Sequence, residues 1–586
     1  LRLYVPDCLA HHSFIDKKIQ NAGVDGVGVR ESAFEQRRID YKKLTAHYSL
    51  LTSTYVYLPV QKIAHLESLI SITQPLMITL DQPLSTHLEN NVFPVYFNTC
   101  RWFAGKARAQ NGFYIRNALP MGSAHILIVE VTYHDGPSEF YQLPITQVSV
   151  HIEIDVKGVL EKGESTQLID AIYDDGFRSE LYRGIFHSLN HQFTQSQICL
   201  QKGRGLSDTD APESIDSRVL PVDSSNSAML FGGKYFMKLY RKLFDQTNPE
   251  VEMVSFLTQH SNFGNIPAYA GSMTWQREGQ PDVTLGMMQQ AIRADKDNWV
   301  LTGDFLNDFM YGVPNGMFGI REDVFDQVAL LGKRTGEMHL GLYSPEADAA
   351  FAAEAFDDFY RNFLLNRLTD LLDRRYALLI DNYEKLDEPT KCLAWIFMEA
   401  RELIDSFANE MLTRPLDSLR IRIHGDYHLG QVLTDNGDFI VIDFEGEPEA
   451  SISDRKIKHS PLKDVAGMIR SYHYAVSAKL FESHETKNIS SEKLQTVSDR
   501  WYKLIRDTYM DAYLDAFGWP HPLFKSQNEI NFLLLFFLLE KAVYELGYEI
   551  SYRPSWVNIP LRGIVEVIRE IEKLKEPTIR ISRLGQ

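Results

Sequence analysis

Three polar side chains suited to metal-assisted phosphoryl transfer fall at constrained spacing in one stretch, residues 421–447, I-R-I-H-G-D-Y-H-L-G-Q-V-L-T-D-N-G-D-F-I-V-I-D-F-E-G-E. They are Asp426, Gln431 and Asp443. Phosphoryl transfer asks the protein for little covalent chemistry. It needs a carboxylate beside the acceptor hydroxyl, and oxygen ligands that hold Mg2+ on the nucleotide phosphates. Asp426 suits the first role, and Gln431 with Asp443 the second.

The elements that must position these groups are short. Leu419 to Ile423 alternates like a strand, and Asn436-Gly437 separates Gln431-Val-Leu433 from Phe439-Ile-Val-Ile442, a pattern that favours a two-residue hairpin turn. Such a hairpin pairs Leu433 with Ile440 and sets Gln431 beside Ile442. In a regular ladder Gln431 and Asp443 point to opposite faces, so the ladder must end or twist before Asp443 if both are to hold one ion. The order follows the H-x-D-x-x-x-x-N loop and metal-binding Asp of kinases, with Gln431 in place of the Asn. The plainer alternative is a strand-ending turn at Asp426 and a cap at Asp443.

A second group lies upstream. Residues 223–240 read as strand, Gly232-Gly233 turn and strand, a register that places Ser227 opposite Lys238. A lysine on an apolar strand facing Ser225, Asn226 and Ser227 suits a nucleotide-phosphate clamp, the alternative being a surface lysine at a strand end. Asn248-Pro249 opens a helix, and Glu252 is the expected partner of Lys238, as in the kinase pairing of strand lysine and helix glutamate; the alternative is an exposed first-turn glutamate. Thr284 to Ile292 reads as a buried strand entering an adenine-binding connector, with Met288 and Gln290 at the nucleotide.

The whole chain of 586 residues, 44% hydrophobic and 24% charged, is long enough for several domains. A net charge of −18 argues against a nucleic-acid surface. Cys8, Cys100, Cys199 and Cys392 lack metal or disulfide spacing, which favours a reducing cytoplasm. The apolar run Phe532 to Leu539 is too short to span a bilayer and reads as a core helix. The expected division is an extension at 1–88 without recognisable chemistry, a strand-rich subdomain at 89–205, a small lobe at 206–295 and a helical lobe at 296–586. The polar stretch Lys202 to Ser217 marks a boundary. Arg101, Lys106 and Arg108 are phosphate candidates or simply a basic helix end. His339 reads as a packed or capping histidine.

Near the end, Tyr544, Glu545, Tyr548 and Glu549 repeat at helical spacing, followed by Arg553 and Trp556. Aromatic rings beside charged groups suit sugars, although a tyrosine stripe also suits a helix core.

Together, R-W-F-A-G-K-A-R, S-S-N-S, N-P-E-V-E, L-G-K-R-T-G-E-M-H-L, H-G-D-Y-H-L-G-Q-V-L, I-D-F-E-G-E-P and E-K-A-V-Y-E-L-G-Y-E with R-P-S-W resemble the motifs of bacterial maltokinases, over roughly residues 93–563. The resemblance implies an α+β, bilobal protein-kinase-like (aminoglycoside phosphotransferase-like) fold with an N-terminal strand-rich cap. It implies ATP and Mg2+ as cofactors and a phosphotransferase with an alcohol acceptor, converting maltose to maltose 1-phosphate for α-glucan (glycogen) synthesis. A trehalose synthase would be the fused domain or partner, and Tyr544, Tyr548, Glu549, Arg553 and Trp556 would line the sugar pocket. Ser224 stands where that family often has Gln. A related capped family phosphorylates glucosamine and is the alternative; an inactive nucleotide- or sugar-binding module is another, which would normally lack Lys238, Asp426 or Asp443. Neither nucleic acid nor membrane is an expected partner.

Overall fold

The structure, a computed structural model, describes residues 78–221, 225–344, 349–482, 489–518 and 520–575. Most of the expected 1–88 extension, and Ser224, lie outside the described residues.

The first sheet is antiparallel and runs β1 (Gln110–Met121), β2 (Ala124–Tyr133), β3 (Glu139–Ser149), β5 (Thr166–Asp170), β4 (Val159–Lys162). Strand parity explains why β2 carries apolar residues on both faces. Leu127, Val129 and Val131 enter a core with Phe93 and Phe97, while Ile126 and Ile128 enter a second core with Phe177 and Leu181 of helix α1 (Asp175–Phe186).

The second sheet has the order β6 (Asn190–Gln192), β7 (Ser196–Lys202), β12 (Tyr269–Arg277), β13 (Val283–Gln290), β10 (Tyr235–Leu239), β9 (Ser227–Phe231), β8 (Ser217–Leu220). The chain leaves β10 and, two residues later, β11 (Lys242–Leu243) pairs with β3 of the first sheet. The strand that carries Lys238 therefore joins the two sheets.

Two expected boundaries shift. A helical run continues from Gln82 to Thr99 and buries Leu88, Val92 and Phe93, so 88/89 falls inside one packed element. β7 pairs with β12, and β6 with β7, so both belong to the second sheet rather than to the cap sheet and the 205/206 division cuts between strands of one sheet. Polar composition at Lys202 to Ser217 signals a loop, and loops also connect strands within a sheet.

The remainder is helical: α2 (Pro249–His260), α3 (Glu322–Leu342), α4 (Asp358–Asn382), α5 (Leu462–Glu482), α6 (Ser491–Asp515) and α7 (Gln527–Tyr552) are its principal members. Phe532, Phe536 and Phe537 on α7 are fully buried, as the apolar run predicts. Gly332 and Gly336 let α3 lie against α6, since added Cβ atoms would meet Tyr509 O at 2.4 Å and Ala516 Cβ at 2.6 Å. A small sheet, β14 (Lys296–Asp297), β17 (Val432–Asp435) and β18 (Asp438–Val441), hangs at the junction with the second sheet. Among the described residues no helix is long and apolar enough to cross a membrane.

Candidate active site

The β17–β18 hairpin forms as its turn dictates. Asn436 and Gly437 both have positive φ, 50° and 82°, and Leu433 pairs with Ile440. The ladder ends at Val441, with one further bond from Ile442 N to Gln431 O at 3.0 Å. Asp443 then adopts φ 66°, which turns its carboxylate toward Gln431, whose Nε2 donates to Asp443 Oδ2 at 3.1 Å. The left-handed residue resolves the parity conflict, and a non-glycine there carries strain of about 1–3 kcal/mol.

Asp426 sits after Gly425 (φ 87°) in a loop held by one buried carboxylate. Asp464 accepts from His424 N at 2.7 Å and Gly425 N at 2.9 Å, and contacts His339 Nε2 at 3.2 Å. Burial alone would push the Asp464 pKa up; His339 and the loop amides more than offset it, leaving it below the ordinary value. His424 Nε2 meets Ile442 O at 2.9 Å, which fixes the Asp426 loop to the strand end before Asp443. Sequence spacing does not single out Asp464 and His339 as supports of this loop. Their signal, an Asp in the first turn of a helix and a buried His, is shared with ordinary caps.

On β10, Lys238 meets Glu250 (Oε1 2.7 Å, Oε2 2.9 Å), Asp443 Oδ1 at 3.2 Å and Glu445 Oε1 at 3.5 Å. The expected Glu252 partner is corrected to Glu250. Asn248 caps α2 by accepting from Glu250 N, and the next turn starts with Glu250 against Lys238. Glu252, two residues on, is rotated by about 200° around the helix axis. It pairs instead with Arg422 at 3.0 Å and Lys456 at 2.6 Å. Burial raises the Glu445 pKa; Lys238 opposes, but Asp443 and Glu250 add to the rise, bringing it to about 7. For Asp443, burial is outweighed by Lys238 and His424, so its pKa lies below the ordinary value.

The Ser227 expectation also changes. A three-residue turn, Gly232-Gly233-Lys234, closes the hairpin, so Lys238 pairs with Ala228 and Ser227 with Leu239. One residue of slip reverses the face. Ser227 is buried and accepts from Arg241 Nε at 2.7 Å. Arg241 in turn is paired with Asp170 of the cap sheet. Met288, expected at the nucleotide, is likewise turned away from the cavity beside Lys238: it pairs with Met237 and packs in the core, while Gln289, opposite Phe236, faces that cavity.

Two cavities flank this centre. One of about 620 Å³ is bounded by apolar Leu230, Phe236 and Ile442 and by Lys238, Gln289 and Asp443; Asn226 and Gln290 are also on its wall, and Ser225 immediately precedes Asn226. The other, of about 400 Å³, is bounded by Asp426, Glu447, Lys463, Glu540, Lys541 and Tyr544. Arg367 bridges Glu447 at 2.9 Å and Glu540 at 2.6 Å. Burial opposes ionisation of Glu447, but Lys463, Lys541 and Arg367 bring its pKa down to about 2.

A cleft of about 110 Å³ adjoins the Asp426 cavity and shares Gly467, Lys541 and Tyr544 with it. Tyr548, Glu549 and Arg553 line this cleft rather than the Asp426 cavity itself. Glu549 accepts from Tyr474 and, at 2.5 Å, from Arg553. Trp556 lines neither space. It lies half-buried against Tyr474 (6.4 Å) and under the Arg553 guanidinium (4.7 Å), one short turn beyond the end of α7. Of the basic candidates in the cap, Arg108 stacks on Tyr133 and donates to Asp135 O and Pro137 O, a structural use.

The donor chemistry fits a hard divalent cation. Glu250, Asp443 and Glu445 offer carboxylate oxygens within 4.8 Å of one another, and Gln431 adds an amide beside Asp443. Lys238 lies among these carboxylates as their counter-charge.

The fold is an α+β bilobal protein-kinase-like (aminoglycoside phosphotransferase-like) architecture with a capping sheet. No family model matches the chain. A glucosamine kinase of Streptacidiphilus jiangxiensis is 24% identical over 375 residues, covering 62% of this chain and 76% of that protein. A glucosamine kinase of Mycolicibacterium smegmatis (strain ATCC 700084 / mc(2)155) is 23% identical over 360 residues, covering 60% and 80%. The solved structure of a glucosamine kinase in complex with glucosamine, ADP and inorganic phosphate matches with a TM-score of 0.58 at 18% identity, over 80% of this chain and 96% of that one. These relatives correspond to the glucosamine alternative of the sequence reading rather than to maltokinase.

Proposed function

We propose that the chain is an ATP-dependent sugar kinase. The observation that carries this reading is the pair of cavities: a lysine–carboxylate cluster opens on one, Asp426 on the other, and the His424–Ile442 hydrogen bond ties their loops together. In the proposed reaction an acceptor hydroxyl oxygen forms a bond to the γ-phosphorus of ATP, the bond from that phosphorus to the ADP oxygen breaks, and the hydroxyl proton passes to Asp426. Lys238, held by Glu250, neutralises phosphate oxygens. The apolar wall of Leu230, Phe236 and Ile442 suits an adenine ring, beside Gln289 and Gln290. Asp443, Gln431 and Glu445 would hold Mg2+, which supplies charge neutralisation on the phosphates.

The relatives favour glucosamine, or a similar amino sugar, as acceptor, and the Glu449 carboxylate on the Asp426 cavity, outside the Arg367 bridge, suits an ammonium substituent. Maltose is the second reading. The adjoining cleft with Tyr474 and Tyr548 offers aromatic faces for a further sugar ring. Measuring ADP release with glucosamine, glucose, maltose, trehalose and an aminoglycoside tests both. Transfer to glucosamine over maltose supports the first, the reverse order supports the second, and no ADP release with any of them removes the sugar-kinase reading.

A further inference from the structure

Of the residues common to the Asp426 cavity and the adjoining cleft, Lys541 is the one whose side chain carries a positive charge. It projects from the middle of α7, and its Nζ lies 3.5 Å from Asp426 Oδ1. That separation makes an ion pair but exceeds the usual length of a hydrogen bond. The other carboxylates near it are engaged elsewhere: Glu447 by Arg367 at 2.9 Å and Glu545 by Arg470 at 3.0 Å. Burial would favour the neutral amine, but Asp426, Glu447 and Glu545 together keep the group charged and its pKa above the ordinary value. The Tyr544 ring, centred 5.5 Å from Nζ, backs it on the same helix.

An ammonium so placed presents N–H donors to the space that Asp426 also faces. We propose that Lys541 is an acceptor-binding residue, donating to an acceptor oxygen neighbouring the reactive hydroxyl so that this hydroxyl is presented to Asp426 and to the nucleotide cavity. The proposal deepens the phosphotransferase reading and rests on it. A point charge on a rigid helix core fixes one substituent of the sugar, and in-line transfer is sensitive to such placement, with misplacement by about 1 Å costing up to about 10²-fold.

The test compares wild type, Lys541→Met, Lys541→Gln and Lys541→Arg, using whichever sugar the wild type turns over best, with kcat, KM for sugar and for ATP, and melting temperature measured for each. The expected result is a loss of about 10–10²-fold in kcat/KM for the sugar in the Met and Gln variants, with KM for ATP unchanged within about twofold. The Arg variant, which keeps charge and donors, should recover part of the loss. A folded Met or Gln variant within about threefold of wild type toward the sugar overturns the proposal. Equal losses toward sugar and ATP with a lowered melting temperature, and no recovery with Arg, assign Lys541 a structural role and overturn it as well. If the wild type transfers phosphate to no sugar while still binding ATP, the sugar-kinase reading fails first and this inference falls with it.

Discussion

The proposed nucleotide side and the proposed acceptor side of this centre are built on different principles. The first is a strand surface: Phe236 and Lys238 alternate along β10, Gln289 comes from the neighbouring strand, and a single ammonium faces three carboxylates. The second is made of helix faces and loops far apart in the chain, Arg367 from α4, Asp426 and Glu447 from loops, Lys463 from α5 and Glu540 with Lys541 from α7. A strand surface concentrates charge and flat apolar area, which is what a phosphate chain and a ring require. Interlocked helices present many donors and acceptors of both signs, which is what hydroxyl-rich ligands require. The two sides should therefore respond separately to substitution.

The sharpest separation is expected from Asp426→Asn, which removes the proposed proton acceptor and leaves the Lys238 cluster intact. Turnover should fall by about 10²–10⁴-fold while ATP binding, measured by calorimetry, stays near wild type. Parallel loss of ATP binding would erase the distinction. On the other side, Asp443→Ala should weaken Mg2+-ATP binding by about tenfold or more and alter the Mg2+ dependence of the rate, with little change in sugar affinity.

Glu250 and Glu252 offer a finer contrast. Glu250→Gln should raise KM for ATP by about tenfold, since it releases Lys238 from its closest partner. Glu252→Gln should leave KM for ATP within about twofold but lower the melting temperature, because Arg422 is buried and loses its ion-pair partner. The opposite outcome would restore the pairing expected from sequence.

Glu445 supplies a pH test without substrate. Its folded pKa of about 7 exceeds the ordinary carboxylate value, so the folded state holds a proton that the unfolded state has released. Its contribution to stability is full below the unfolded value and is lost as pH rises through about 7. The slope is at most about 1.4 kcal/mol per pH unit. Denaturant unfolding of wild type and Glu445→Gln between about pH 5 and 7 should converge at the acidic end and diverge above it, with the variant more stable at the higher pH.

The smallest effect is expected from Trp556→Ala. This side chain touches Tyr474 and Arg553 but neither cavity, so sugar KM should change less than in Tyr548→Ala, whose ring lines the cleft. A larger effect at Trp556 would extend the acceptor side beyond α7.

Much of the central loop was legible because its determinants are local. Asn436-Gly437 dictates a tight turn whatever surrounds it, so the pairing of Leu433 with Ile440 follows. The need for a break before Asp443 follows from strand parity, and the positive φ there is the form that break takes. The helical character of Phe532 to Leu539 is equally local, a matter of apolar run length.

What failed did so by one or two residues, or across long separations. Gly232-Gly233 announces a turn but does not say whether Lys234 belongs to it, and that single residue moved Ser227 from the phosphate face to Arg241. N-P-E-V-E announces a helix start with two acidic residues, and only the angle at which α2 meets β10 selects Glu250 over Glu252. Lys541 meets Asp426 across more than a hundred residues, as Asp464 meets His339. Dihedral preferences and side-chain periodicity act over a few residues and are written in the sequence, whereas the partners of a buried charge are chosen by the packing of whole helices and sheets.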